Sequence, residues 1–490
     1  MLIAALYILL TFFIFAQIRI LVILVFLLAR RRSKKHSTDH NLEKPVEAEW
    51  PSVAVQLPVY REYNVLDRLL SSVTKLDYPA NRLHIQILDD SEQDVSKPIS
   101  NILHKYQTLT IPIQYIHRTH RRGYKSGALN DGNKLTNCAL VAIFDADFIP
   151  QHDFLLRTVP LFQDAKIGAV HTRWRHLNDL DSPLTMLQAA ILDSLFCFES
   201  SLRQWMGESS MYLGTSGVWR KQTIEELGGW REQPFTDDGI DLSFRAQING
   251  WFVAYLDEAL SSGELPETYL AYKNQQRRWA RAAFRLFLDY WRFALQPPKG
   301  LGGRFLELSS LHLVLSTPSV LFITLISGLF VALGLPRSPE WIAVQIGLTG
   351  ALLLFPPAQE GLLSQILLYS DWPRRCLLIL QALPLGIGVS VSILVGFWDT
   401  VRPREAEFVT TPKQGSIPVI QRSRKRWLHV AAWIAAFETA FGLLILMILI
   451  FAILRGYLES WLLFFIVSSA FLVSGAKSWR EIKQGNAELS

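Results

Sequence analysis

From Pro51 onward the chain alternates between short apolar runs and longer stretches in which apolar residues recur every three or four positions. VAVQLPVY from Val53, LHIQILDD from Leu83, IPIQYIH from Ile111 and CALVAIFDAD from Cys138 predict strands, whereas Val65 to Leu76 and Ser126 to Leu135 have helical spacing. Strand, helix, strand in repetition predicts a mostly parallel sheet with helices on both faces, and the continuous apolar runs fit strands buried on both sides. Open sheets of this kind bind ligands beyond the carboxyl ends of their strands. Two of the predicted strands end there in carboxylates, Asp89 with Asp90 and Asp145 with Asp147.

The flanks follow a different pattern. Met1 to Ala29 is apolar apart from Gln17 and Arg19 and runs into RRRSKK, Arg30 to Lys35. That length spans a bilayer, and positive charge placed after the apolar run predicts an uncleaved anchor whose carboxyl end is cytoplasmic. Arg19 within it faces protein or a water-filled path, or snorkels; the sequence leaves this open. Beyond Lys299 lie apolar segments at Leu311 to Leu335, Trp341 to Ala358, Cys376 to Phe397, Trp427 to Leu454 and Leu458 to Ala476. If all five crossed, the basic loop from Arg402 to Arg426 would face outside, against the positive-inside rule. Pro384, Gly386 and Gly388 interrupt Cys376 to Phe397, so this segment is expected to be re-entrant or interfacial and the spans number five with the first. The expected division is an anchor at 1–30, a cytoplasmic α/β domain at 51–269 and an interfacial amphipathic helix at 270–300. Membrane helices with the re-entrant segment follow at 311–398, a cytoplasmic loop at 399–426 and two further spans at 427–476.

Composition agrees with a mixed protein: 490 residues, 50% hydrophobic, mean hydropathy +0.20. The net charge of +6 comes largely from clusters beside apolar segments, which membrane topology explains better than nucleic-acid binding. Cys138, Cys197 and Cys376 have no metal-ligand or disulfide spacing, and neither GxGxxG nor GxxxxGK[ST] occurs.

Two carboxylates one residue apart, such as Asp145 and Asp147, can grip Mg2+ or Mn2+ that carries a substrate diphosphate. Asp89 and Asp90 can accept hydrogen bonds from a base or ribose, or simply cap a turn. In PFTDDGIDLSFRAQINGW, Thr236, Asp237 and Asp238 stand at the amino end of a predicted helix, as a cap or as a general base. In QQRRWARAAFR, Arg277, Arg281 and Arg285 recur every four residues with Arg278 beside them and Trp279 to one side. That stripe suits a pyrophosphate clamp with an aromatic face for a sugar, or an interfacial helix anchored by tryptophan; the two are compatible.

DDS at Asp89, DAD at Asp145, TDD at Thr236 and QQRRW at Gln275 fall in the order of the D, DxD, TED, QxxRW signature, and the chain resembles family 2 membrane glycosyltransferases of the cellulose synthase-like group. VAVQLPVYRE, YKSGALN, YLGTSGVWR and INGWFVAYLDE are most similar to the mannan and glucomannan synthase-like branch and bacterial relatives, and FVTTPKQG at Phe408 resembles the gating-loop motif FxVTxK. The resemblance implies a GT-A nucleotide-sugar-binding domain joined to a helical transmembrane bundle in a multi-pass protein of the plasma or inner membrane. It implies nucleotide-sugar contacts at Tyr60, Glu62, Asp89 or Asp90, Lys125, Asp145, Gln275, Arg278 and Trp279, with Mg2+ or Mn2+ on Asp145 and Asp147. Asp238 would be the base, Gly214, Thr215, Ser216 and Trp279 would line the acceptor site, and Phe408, Thr411 and Lys413 would belong to the gating loop. Two departures stand out. Gly239 occupies the gapless position of the base relative to Leu242, which leaves Asp237 or Asp241 as alternatives, and Thr410 replaces the usual valine of the loop. The implied reaction is inverting transfer of a hexose from UDP-glucose or GDP-mannose to a growing β-linked polysaccharide at the cytoplasmic face. The alternatives are single-sugar transfer to a lipid such as ceramide or diacylglycerol and, from hydropathy alone, a transporter with a cytoplasmic domain.

Overall fold

The computed structural model describes residues 14, 17–29, 50–92, 97–232, 238–295, 319–335, 338–353, 356–402 and 421–487, with the backbone alone at 97–98, 238, 294–295, 351–353, 356, 421–426 and 486–487. Eight strands form one sheet: β1 (Val53–Val59), β2 (Leu83–Asp89), β3 (Ile113–His117), β4 (Leu140–Ile143), β5 (Ile149–Pro150), β6 (Ile167–His176), β7 (Gly217–Arg220) and β8 (Phe252–Gly263). Their order is β3-β2-β1-β4-β7-β6-β8-β5. The predicted parallel half is present: Val59 lies opposite Asp89, Asp89 opposite His117, and Gln56 opposite Ile143, so β1, β2 and β4 end on one edge. The other half is mixed, which the sequence pattern did not foretell. β7 runs antiparallel to both β4 and β6, and β5 antiparallel to β8, while β6 and β8 pair in parallel with register shifts.

The helices are α1 (Gln17–Ala29), α2 (Tyr63–Val73), α3 (Lys97–His104), α4 (Tyr124–Lys134), α5 (Phe154–Thr158), α6 (Pro183–Ser194), α7 (Ser201–Trp205), α8 (Lys221–Glu226), α9 (Asp238–Ile248) and α10 (Tyr269–Leu295). They continue as α11 (Ser319–Ala332), α12 (Pro339–Leu353), α13 (Pro356–Leu368), α14 (Trp372–Gly388), α15 (Ser390–Val401), α16 (Gln421–Leu454) and α17 (Trp461–Ala487). Tyr63, Leu66, Leu69, Leu70 and Val73 give α2 a buried face that joins Val55, Leu57, Ile85 and Ile87 in the main core. Buried amides must find partners, and here they form a ladder across three strands: Gln56 donates to Gln86 at 3.0 Å and Gln86 to Gln114 at 3.0 Å.

A π-helix, Leu195–Ser200, joins α6 to α7, and this rod meets α1 and α13. Arg19 of α1 is fully buried; its guanidinium donates to Glu199 on the π-helix at 2.8 Å and to Glu360 of α13 at 2.8 Å. Arg203 donates to the second oxygen of Glu199 at 2.6 Å. Arg19 therefore faces protein, and two arginines balance two carboxylates, as a buried ionic group requires.

Among the described residues three helical stretches are long and apolar enough to cross a membrane: Trp372–Val401, Trp427–Leu454 and Leu458–Gly485. The segment expected at Trp341 to Ala358 falls on α12, described over 15 residues or about 22 Å, and on the start of α13. Trp372–Val401 changes helix at Val389, close to the predicted interruption. Arg375 near its start pairs with Asp179 of the sheet domain at 2.7 Å, and Asp399 near its end pairs with Arg277 of α10 at 2.6 Å. The glycines serve close approach: a Cβ on Gly396 would lie 2.4 Å from the Arg277 carbonyl, and one on Gly388 would lie 2.3 Å from the Ser474 hydroxyl. At the start of α10, the Glu481 carboxylate accepts from the N–H groups of Tyr269 and Leu270, and Lys273 pairs with Glu438 at 2.7 Å. Thus α10 is docked at once on α15, α16 and α17.

Candidate active site

The turn after β4 places Asp145 and Asp147 at the carboxyl edge of the sheet. The Asp145 N–H donates to Thr215 Oγ1 at 2.9 Å, and its carboxylate accepts from Lys125 Nζ at 2.5 Å; the same ammonium donates to the Gly214 carbonyl at 2.9 Å. Lys125 stands in the first turn of α4, after Gly123 and Tyr124, both at positive φ. Among the described residues the non-glycine positions at positive φ are Arg61, Tyr124 and Ser216, and all three border this edge, where strained backbone is characteristic of functional sites. Asp147 is almost fully buried. Arg278 of α10 completes the group: burial draws its guanidinium down to about 10, against the pull of the Asp145 and Glu62 carboxylates. It remains a cation at neutral pH. Lys125, Arg278, Asp145 and Glu62, far apart in sequence, thus share one electrostatic environment.

Asp89 is fully buried, and its carboxylate accepts from the Ser91 N–H at 3.0 Å and the Tyr115 hydroxyl at 2.8 Å. Asp90 pairs with Arg118 at 2.6 Å, and burial raises its pKa against that pull. The Arg121 guanidinium lies 3.2 Å from the centre of the Tyr60 ring and 4.9 Å from that of Tyr124, while the Tyr60 hydroxyl donates to Glu92 at 3.2 Å. Arg118 and Arg121 escaped the sequence reading; the basic string RTHRR before YKSGALN was the available signal.

Of the string Gly214, Thr215, Ser216, the last two are buried pins: Thr215 holds the Asp145 backbone, and Ser216 bonds the Thr172 hydroxyl at 2.8 Å and the Ser261 hydroxyl. Gly214 is the partly open member. Against it sits α9, whose second residue, Gly239, is so close that a Cβ would lie 2.4 Å from Gly214 N and 2.5 Å from the Tyr212 carbonyl. This explains the departure at Gly239, since no side chain fits there. Asp238, first residue of α9, adjoins that contact. Asp241 is unsuited to be a base: it is 1% exposed, and its carboxylate accepts from Arg231 at 3.1 Å, Arg245 at 2.8 Å and the Tyr290 hydroxyl at 2.7 Å.

The arginine stripe divides. Arg277 pairs with Asp399, and buried Arg281, lowered to about 10 by burial, also feels Asp399; Arg285 pairs with Asp289 at 3.1 Å on the surface. Arg278 alone of the four is drawn toward Asp145. Gln275 is half-buried, and Trp279 is 38% exposed. Thr236, Asp237, Phe408, Thr410, Thr411 and Lys413 lie outside the described residues.

Among the described residues no three His, Cys, Asp or Glu side chains form a ready metal cluster. Two hard carboxylates at one turn fit the alternative in which protein supplies two ligands and a substrate diphosphate supplies others, so Asp145 and Asp147 suit Mg2+ or Mn2+.

Residues 51–282 match the family model "Glycosyltransferase like family 2". A probable glucomannan 4-beta-mannosyltransferase 6 of Oryza sativa subsp. japonica is 33% identical over 410 residues, 80% of this chain and 68% of the rice protein. Glucomannan 4-beta-mannosyltransferase 1 of Cyamopsis tetragonoloba is 35% identical over 283 residues, 55% of this chain and 53% of that protein, so the match to such relatives spans about half their length. Among solved structures, a mannosyltransferase of Pyrobaculum calidifontis, in complex with GDP-Man and Mn2+, matches with a TM-score of 0.51 at 17% identity, covering 81% of this chain and 100% of that one, which establishes a shared fold. With the family model matched over the sheet domain and a rice relative aligned along most of both chains, the protein belongs to glycosyltransferase family 2.

Proposed function

We propose that the protein is an inverting, metal-dependent hexosyltransferase that transfers mannose from GDP-mannose, or glucose from UDP-glucose, to the end of a growing β-linked polysaccharide. The observation that carries this is Lys125 held between Asp145 and the Gly214 carbonyl at the sheet edge, with the start of α9 against Gly214 beside it and the buried Arg278 cation within the field of Asp145. Two fixed cations suit a diphosphate leaving group, whose negative charge grows as the glycosidic bond to phosphate breaks. A metal on Asp145 and Asp147 would add Lewis-acid stabilisation of that charge. Tyr60 and Asp90 stand where they suit the nucleoside. The acceptor hydroxyl attacks the anomeric carbon from the opposite side, its proton passes to the Asp238 carboxylate, and the nucleoside diphosphate leaves with the bonding electrons, so the configuration inverts in one step. The relatives' mannosyltransferase activities, as named, support a mannosyl donor and a glucomannan-type product, and the Pyrobaculum enzyme's bound GDP-Man and Mn2+ agree with that choice.

The catalytic domain is placed on the cytoplasmic side of a membrane, with Trp372–Val401 returning to the side from which it enters. Both of its ends touch elements of that side, Asp179 through Arg375 and Arg277 through Asp399. A straight helix normal to the membrane would hold Arg375 and Asp399, 24 residues apart, about 36 Å from each other across the bilayer.

The test is Asp238→Asn in the purified full-length protein. Transfer should be lost while the Kd for GDP or UDP stays within about twofold of wild type, because the base acts on the acceptor. Retained transfer would refute the assignment.

A further inference from the structure

Resting on the reading of Asp238 as base, we propose that Asp241 and Tyr290 are positioning residues, a brace that sets the distance between the base-bearing turn of α9 and the diphosphate-facing turn of α10. Asp241 follows Asp238 by three residues, about one helical turn, and is buried. Each oxygen of its carboxylate is bound: one by Arg231 at 3.1 Å and by the Tyr290 hydroxyl at 2.7 Å, the other by Arg245 at 2.8 Å. Tyr290 lies on α10, twelve residues and about 18 Å beyond Arg278. One rigid helix therefore touches the donor pocket with Arg278 and holds the base helix with Tyr290.

The opposite side of α9 is fixed as firmly. Ser243 Oγ accepts from the Tyr212 N–H at 2.9 Å and donates to the Gly239 carbonyl at 2.8 Å, while Gly239 itself is pressed on Gly214. Arg245 also donates to the Leu227 carbonyl at 2.6 Å and the Gly229 carbonyl at 2.9 Å, so it anchors α9 to the loop after α8 rather than to α10. Tyr290 supplies a direct hydrogen bond from α10 to α9, beside the Arg231 guanidinium, which lies between Asp241 and, at 3.9 Å, Asp289 of α10. The Tyr290 ring stacks on Phe244 with centroids 4.8 Å apart and planes 8° from parallel. That stack persists without the hydroxyl. Tyr290→Phe therefore removes the bond to Asp241 and leaves the packing, which separates positioning from simple stability.

The experiment uses purified full-length protein with Mn2+, a manno-oligosaccharide acceptor and whichever of GDP-mannose and UDP-glucose it turns over. Tyr290→Phe should lower kcat about tenfold, leave donor KM and the Kd of the free nucleoside diphosphate within about twofold, and leave the thermal midpoint near wild type. Wild-type kcat would overturn the proposal. So would a kcat loss accompanied by an equal rise in donor KM, or one explained by a lowered thermal midpoint, either of which would mark a structural role. Asp238→Asn in the same preparation keeps the two claims apart: if it retains transfer, the base assignment fails, whatever Tyr290→Phe shows.

Discussion

Gly239→Ala places the smallest possible strain on the contact between α9 and the Gly214 segment, the one on which the proposed base and acceptor site depend. An alanine Cβ would lie 2.4 Å from Gly214 N, 2.5 Å from the Tyr212 carbonyl oxygen and 2.7 Å from Gly214 Cα, whereas ordinary contact begins at 3.4 Å. The shortfall is about 1 Å, and the three nearest atoms are all backbone, so none of them can swing aside as a side chain would. Relief requires the first turn of α9 to move, against the Ser243 and Asp241 contacts that hold it. A shift of about 1 Å at a reacting group costs on the order of 100-fold in rate, or about 2.7 kcal/mol in the barrier. Overpacking should also cost about 1–3 kcal/mol of stability. Nucleotide binding should survive, since Lys125 and Arg278 come from other elements. Steady-state kinetics, titration calorimetry with the free nucleoside diphosphate and thermal melts on one preparation separate these effects. A Gly239→Ala protein with kcat within about twofold of wild type would refute the argument that this spacing is tight and functionally coupled.

Two further outcomes follow from the same geometry. Asn at Asp145 or at Asp147 should abolish transfer even in saturating Mn2+, and chelation should do the same to the wild type, reversibly, because one carboxylate holds a metal-diphosphate pair poorly; near-normal activity of Asp147→Asn would count against the metal assignment. If Trp372–Val401 returns to the cytoplasmic side, a cysteine at Gly415 in a background lacking Cys138, Cys197 and Cys376 should resist an impermeant maleimide in intact cells and react after permeabilisation, whereas labelling in intact cells would sink the topology.

The parallel half of the sheet was legible because strands buried on both faces appear as continuous apolar runs, and helix α2 because its buried positions keep helical spacing. The half formed by β6, β7 and β8 was not. Polar residues stand on or beside its strands, Thr172 on β6, Ser261 on β8 and Ser216 just before β7, and their hydroxyls satisfy one another only after distant segments pair. The carboxylates of the site could be placed by their position at strand ends. The surroundings of Asp241 could not, since its partners Arg231, Arg245 and Tyr290 include a residue of another helix, 49 positions away. Likewise the arginine spacing on α10 was visible, but Asp399, which claims Arg277, lies 122 residues away. Arg19 was undecidable for the same reason: its acceptors are 180 and 341 residues distant.

The most direct test of the proposed reaction is the product itself. Full-length protein purified in detergent is given Mn2+, a manno-oligosaccharide and labelled GDP-mannose or UDP-glucose in separate reactions, and the product is sized and digested with linkage-specific glycosidases. The account predicts a labelled product longer than the acceptor by more than one sugar and cleaved by an enzyme specific for β linkages. A product resistant to β-specific cleavage but open to an α-specific enzyme would contradict inversion, and label confined to a single sugar on a lipid would contradict polysaccharide synthesis.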